Sequence, residues 1–394
     1  MIKKERLFTP GPTALLPQAQ AAMAAMTLHH RTAEFKAVFS GTLKRLQAFL
    51  GTKNEVIILA SSGTGAMESS VVNLTSPGDR VLVLSAGKFG ERWEKLAKAY
   101  GCTVDLVTLP YGESFTAKHI EGRLDGANAP KVVFLQASET STGVQHDVQG
   151  IARAARAAKS DVLIVVDAIT GIGTQPIDID GWELDIVLGG SQKAVMMAPG
   201  LAFLSVSARA WAAMETSKNP KYYFNLRAER KSQAAGETAF TPAVGLVAAL
   251  NAALEYIEAN GGNAGLVANA EALSAATRAG CAALGLKPFG SGKPSGSVSA
   301  ISMPDGMDSG TVVKALRQQF GSVIANGQGE MKGKMIRVAH LGYYDFVEMF
   351  SLIAQLEVVL VQLGKLDAGK LGTGVRAVQQ YFLAQAQPKQ TAKA

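Results

Sequence analysis

The sequence predicts an α/β fold: a mostly parallel central sheet of seven strands covered by helices, then a smaller α+β unit. Two observations predict it. Between residues 55 and 206, seven short apolar, β-branched runs bounded by Gly, Pro, Asp or Ser alternate with longer stretches of helical period. After Asn260-Gly261-Gly262 the order changes to helix, strand, helix, strand, helix. The seven runs are 56–60, 80–84, 103–109, 131–135, 162–166, 185–188 and 200–206. Most are continuously apolar, as expected when helices cover both faces of a sheet. Between them lie helices at 65–74, 90–100 and 148–158, the last preceded by Asp147, which suits an N-cap. A long helical pattern at 243–259 follows Thr241-Pro242 and stops at the Asn-Gly-Gly signal. In the second unit, strands are expected at 298–303 and 335–339, and helices at 309–320 and 344–363. The chain thus divides into an N-terminal segment 1–20, a large domain 21–262, a small domain 263–385 and a polar, flexible tail 386–394.

Composition narrows the function class. With 394 residues, 47% hydrophobic and 18% charged, the chain can bury a large core and is neither disordered nor fibrous. Its two cysteines, Cys102 and Cys281, are far apart, which excludes a disulfide framework or a dithiol centre and fits a reducing cytoplasm. No apolar stretch approaches the ~18–20 residues of a spanning helix, so no membrane role is expected. The net charge of +7 is dispersed rather than gathered in a stripe, so surface charge and an anionic small molecule are expected, not nucleic acid. The five histidines offer no ligand-spaced pair beyond the adjacent His29-His30, and no metal is expected.

Three segments carry chemistry. Ser61-Ser62-Gly63-Thr64-Gly65 follows a strand and opens a helix, where small residues, hydroxyls and free amides can cradle a phosphate; a plain strand–helix turn would read the same. Asp167 ends the apolar run 162–166, at the edge where doubly wound sheets bind ligands; it would equally serve as a turn cap. Lys193, in Gly190-Ser191-Gln192-Lys193, follows another buried strand and could act as an amine nucleophile toward an aldehyde; its alternative is a lysine snorkelling at a strand end. Together, a phosphate cradle, a carboxylate able to pair with a pyridinium nitrogen and a Schiff-base lysine describe a pyridoxal 5'-phosphate site.

On these residues the chain resembles the class V (fold type I) aminotransferases, nearest the alanine–glyoxylate and serine–pyruvate or serine–glyoxylate group. The resemblance runs over nearly the whole length. It is carried by Thr9-Pro-Gly-Pro12, Met26-Thr-Leu-His-His-Arg31, Ser62-Gly-Thr-Gly-Ala-Met-Glu68, Glu139-Thr-Ser-Thr-Gly143, Asp167, Gly190-Ser-Gln-Lys193 and Ile336-Arg-Val-Ala-His-Leu-Gly342. It implies that Lys193 holds the cofactor and then shuttles the substrate proton, while Asp167 keeps the ring nitrogen protonated. It also implies that Phe89 stacks on the ring, Thr140 lies near the ring oxygen, Ile169 packs the opposite face, and Ser62, Gly63, Thr64 and Gln192 surround the phosphate. Thr241 would reach the phosphate of a neighbouring subunit in a homodimer. Arg337 would grip the substrate α-carboxylate, with Gly11 supplying nearby backbone and the Gly-rich loop 326–330 closing over substrate.

The expected reaction is a ping-pong transfer of an amino group from a small L-amino acid, alanine or serine, to glyoxylate or pyruvate. Aspartate or 2-aminoethylphosphonate stays open as donor, through Arg31 or Arg227. A cysteine desulfurase or lyase shares the fold but needs a thiol on a mobile loop, and Cys102 and Cys281 read as structural. A nicotinamide enzyme would want the complete G-x-G-x-x-G, which is absent. A scaffold that has kept only the fold would not need Lys193, Asp167 and Arg337 together.

Overall fold

The computed structural model describes residues 3–25, 28–126 and 128–386. Met26 and Thr27 of the matched N-terminal motif, and residues 387–394 of the expected tail, lie outside the described residues.

The chain opens with β1 (Arg6–Leu7), α1 (Pro17–Ala24) and α2 (Ala33–Leu50). The large sheet is then built from β2 (Glu55–Leu59), α3 (Gly63–Leu74), β3 (Arg80–Ser85), α4 (Lys88–Ala99), β4 (Thr103–Thr108) and β5 (Val132–Gln136). A short hairpin, β6 (Ser138–Glu139) and β7 (Val144–Gln145), leads to α5 (Val148–Ala158), β8 (Leu163–Asp167), β9 (Ile186–Gly190) and β10 (Ala202–Val206). Helices α6 (Ala208–Met214), α7 (Leu226–Ala234) and α8 (Val244–Ala259) follow. The strand order is β2-β10-β9-β8-β5-β3-β4. Only β10 runs antiparallel, to β9 and to β2, so the sheet has the seven strands and mostly parallel sense that the sequence predicts.

Alternate residues of the sheet feed two cores. Leu82, Leu84, Val133, Leu135, Ile164 and Val166 pack on one side with Phe35, Phe39 and Leu250. Val81, Val83, Val132, Phe134, Leu163 and Val165 pack on the other with Met67, Trp93 and Trp211. Burial on both faces explains why these strands are apolar runs.

The second unit comprises α9 (Gly262–Ala283), β11 (Lys287–Pro288), β12 (Val298–Ser302), α10 (Ser309–Phe320), β13 (Ser322–Val323), β14 (Ala325–Asn326), β15 (Met335–Ala339), α11 (Phe346–Gln362) and α12 (Thr373–Ala386). Strands β11-β12-β15-β14 form an antiparallel sheet with its own core around Leu273, Ile301, Leu316, Ile336 and Leu352. The N-terminal segment belongs to this unit in space. Strand β1 pairs parallel with β13, Arg6 opposite Ser322, and Tyr344 Oη donates to the Leu7 carbonyl at 2.6 Å.

Several expected boundaries move. Helix α3 begins at Gly63, not residue 65, and α4 at Lys88, not residue 90, which places Phe89 in the first helical turn; β15 keeps its expected bounds, with Arg337 in its middle. Five helices, α1, α2, α6, α7 and α12, were not read from the sequence. Ser40-Gly41-Thr42 weakens the α2 pattern, but Phe35, Phe39, Leu46 and Phe49 bury a continuous stripe and the tertiary gain outweighs propensity. The start of α12 is held from a distance: Glu357 accepts from the backbone N–H groups of Gly372 (2.8 Å), Gly374 (2.7 Å) and Val375 (3.3 Å).

Candidate active site

Five loops leave the large sheet at one edge, after β2, β3, β5, β8 and β9, because those strands all run the same way. They carry the cradle 61–64, Phe89, Thr140, Asp167 with Ile169, and Gln192 with Lys193. The topology therefore gathers residues spread over more than a hundred positions, at the sheet edge where doubly wound folds bind ligands.

Lys193 is enclosed. Its Nζ donates to the carbonyl of Pro10 at 2.5 Å, and Thr13 Oγ1 donates to the Lys193 carbonyl at 3.1 Å, so the N-terminal segment lies directly over the lysine. Gly11, at φ 145°, is required there: a Cβ would collide with Lys193 Nζ. Burial lowers the Lys193 amine to about 8; Asp167 opposes that, and the Arg337 and Arg92 guanidinium groups reinforce it.

Asp167 ends β8 with 6% exposure. Its Oδ1 accepts from the Ile169 N–H at 2.9 Å. Burial raises its carboxyl to about 6, against the pull of that N–H, Arg92 and Lys193. Gln136 stands opposite Asp167 in the register of β5 and β8, hence on the same face, and both of its side-chain polar atoms are buried with no partner among the described residues.

The cradle opens α3, with Ser62 as the N-cap and Gly63 and Thr64 in the first turn. First-turn amides have no intrahelical acceptor. Ile169 packs so closely on Gly63 that a Cβ there would strike its Cδ1. Gln192 Oε1 is buried without a partner among the described residues. A cradle that only glycine fits and first-turn amides without an intrahelical acceptor, close to the Lys193 amine, suit a phosphorylated aromatic aldehyde.

Two residues gain roles that the sequence reading did not give them. Glu139, fully buried, accepts from the N–H groups of Phe89 (3.1 Å), Gly90 (3.2 Å) and Ser141 (3.1 Å), and from Ser141 Oγ. It ties the start of α4 to the Thr140 loop. Arg92 donates to Thr64 Oγ1 at 3.0 Å and lies 5.0 Å from the Phe89 ring centre. Its position three residues after Phe89, on the same helical face, was the available signal.

Arg337 reaches the site from β15. Its Nε donates to the Asn326 carbonyl at 3.0 Å and Nη1 to the Thr140 carbonyl at 2.9 Å. Burial lowers this guanidinium to about 10. Thr241 is not brought to the cradle of its own chain. It borders a separate recess with Phe39, Ala60, Tyr223 and Phe240. Arg227 pairs with Glu215 at 2.9 Å on the surface, and Arg31 is exposed. Cys102 and Cys281 are buried and free, and burial pushes the Cys281 thiol up to about 12, so neither is poised as a nucleophile.

The sequence profile described as Aminotransferase class-V matches residues 15–342. The chain belongs to the class-V aminotransferase family. Within that family of transaminases it is 34% identical, over 388 residues and 97% of both chains, to the L-aspartate–glyoxylate aminotransferase of Paracoccus denitrificans. It is 37% identical over 385 residues to a protein of Anabaena cylindrica named soluble hydrogenase 42 kDa subunit, covering 97% of this chain and 100% of the other. Among solved structures, the subgroup IV aspartate aminotransferase of Thermus thermophilus superposes with a TM-score of 0.85 at 35% identity, covering 91% of this chain and 99% of that one. The fold-type I architecture expected for the family is the one observed.

Proposed function

We propose that this transaminase uses pyridoxal 5'-phosphate to move an amino group from a small L-amino acid, alanine or serine, to glyoxylate or pyruvate. The observation that carries the proposal is the Lys193 amine enclosed beneath the Pro10 carbonyl, at the sheet edge where β8 ends in Asp167 and the cradle opens α3. Ser62, Gly63, Thr64 and Gln192 would hold the phosphate, Phe89 and Ile169 the two faces of the ring, and Thr140 its oxygen edge. When bound, the cofactor supplies an electron sink that stabilises negative charge at the substrate Cα.

The chain's own residues do the rest. Arg337 binds and orients the substrate carboxylate through a charge-assisted contact, fixing which Cα bond faces the cofactor. Lys193, with an amine near neutrality, takes the Cα proton as a base and returns it as an acid. Asp167 holds a proton or a positive charge at the ring nitrogen, and the N-terminal segment over Lys193 limits water. The buried apolar run Val195-Met196-Met197 directly after Lys193 favours small substrates. Aspartate is the second reading, favoured by the named activities of the Paracoccus and Thermus proteins. We also infer a cytoplasmic homodimer in which Thr241 contacts the cofactor phosphate of the neighbouring subunit. Within each subunit the segment 1–20, the large domain 21–262 and the small domain 263–385 meet at the site.

The test is the visible spectrum of the purified protein with pyridoxal phosphate, before and after L-alanine, L-serine, L-aspartate and 2-aminoethylphosphonate are added separately. A yellow band bleached by one donor supports the reading and names that donor. Failure to form any band removes the cofactor, and a band that no donor changes removes the transfer from these donors.

A further inference from the structure

A phosphate monoester carries about −1.5 to −2 charges at neutral pH. The cradle Ser61-Ser62-Gly63-Thr64 offers hydroxyls and amides but contains no cation, and Gln192 is neutral. One cationic side chain is hydrogen-bonded to the cradle among the described residues: Arg92, through Nη1 to Thr64 Oγ1 at 3.0 Å. Its guanidinium is steadied by the Phe89 ring, 5.0 Å away. The rotation of α4 that aims Arg92 at the cradle is fixed by the next residue, Trp93, fully buried and stacked on Phe134 at 4.6 Å. Lys88, on the same turn, is already engaged by Glu91 at 2.9 Å, and Lys95 faces Glu91 at 3.8 Å. A guanidinium has five N–H donors, so the contact to Thr64 leaves donors free for a planar, bidentate grip on phosphate oxygens.

We propose that Arg92 is the phosphate-neutralising residue of the cofactor site, bridging the cradle hydroxyl of Thr64 and the phosphate. The inference rests on the pyridoxal-phosphate reading above. Consistent with it, the charge of Arg92 is felt at both Asp167 and Lys193, so the guanidinium lies within the electrostatic reach of the whole site.

The test compares two ligands that differ only in the phosphate. Cofactor-free wild type, R92Q and R92K are titrated with pyridoxal phosphate and with pyridoxal, following tryptophan fluorescence rather than turnover. R92Q is expected to weaken pyridoxal phosphate binding by about tenfold or more, the scale of one lost charged hydrogen bond, and to leave pyridoxal binding within about twofold. R92K keeps the charge and the stem over Phe89 but cannot fork, so it should lose part of the same preference; it stands in if R92Q does not fold. Equal weakening of both ligands would overturn the proposal, since the residue would then act on the ring or the fold. An unchanged preference in both variants would overturn it as well. So would a rise in the KM for aspartate with pyridoxal phosphate affinity intact, which assigns Arg92 to substrate. If the wild type takes up no pyridoxal phosphate, the cofactor reading itself falls, a result distinct from any of these.

Discussion

Arg337 and Thr140 are joined across the two units: the guanidinium Nη1 donates to the Thr140 carbonyl at 2.9 Å, from the middle of β15 to the loop after β6. With Nε held by the Asn326 carbonyl at 3.0 Å, the side chain is fixed before any substrate arrives.

Substrate binding should therefore depend on Arg337 far more than cofactor binding does. R337A is expected to raise the KM for both amino acid and 2-oxo acid by about tenfold or more, the scale of a charge-assisted contact. Pyridoxal phosphate affinity should change little. Steady-state kinetics beside a cofactor titration separates the two, and an unchanged KM would show that another group holds the carboxylate.

Asp167 sets activity against stability. Its carboxyl rises from the ordinary 3.8 to about 6 through burial. The folded protein therefore holds a proton that the unfolded chain releases between those values. That contribution to stability is complete below pH 3.8 and is lost as pH rises through about 6, where the buried charge becomes a cost. Asparagine can still accept from the Ile169 N–H and carries no charge. Cofactor-free D167N should thus melt above wild type at neutral pH, by at most about 3 kcal/mol, with the gap closing as pH falls below 6, while turnover drops steeply. Thermal melts across pH would contradict this if the gap were the same at every pH.

Glu139 should be intolerant of its own amide. In E139Q, whichever way the amide turns, an NH2 faces backbone N–H groups from Phe89 and Gly90 or from Ser141. A loss of about 1–3 kcal/mol in urea unfolding is expected, together with a weaker ring contact from Phe89. Wild-type stability would mean that these donors find other acceptors.

Gly11 should not tolerate a side chain. G11A adds a Cβ against Lys193 Nζ at a φ that L-residues rarely adopt, a strain of about 1–3 kcal/mol. We expect kcat to fall by about tenfold or more with folding retained, checked by kinetics beside circular dichroism. Full activity would show that the segment over Lys193 shifts freely.

The sheet and the edge at which the candidate site lies were largely legible because both are local signals. Apolar runs ending in Asp167 and in Gly190-Ser-Gln-Lys193 announce strands that stop at a site, and the parallel sense brings their ends together. The rest depends on partners distant in sequence. Gln136 reads as one more polar residue after an apolar run, and only the β5–β8 register sets it beside Asp167. Glu139 belongs to a recognised motif, but its grip on the start of α4 spans about fifty residues. The α12 start leans on Glu357 in another helix, a cap with no trace in its own segment.

The pairing of β1 with β13 also orders events during synthesis. Arg6 is made more than three hundred residues before its neighbour in the sheet, Ser322. That pairing adds a second anchor to the segment that Thr13 and Leu16 already tie beside Lys193. A chain growing from the ribosome can complete its seven-stranded sheet before β13 is made, and the β1–β13 pairing follows only after residue 323 has been added. A nascent chain stopped before residue 320 would hold the segment over Lys193 by Thr13 and Leu16 alone, without the β1–β13 pairing.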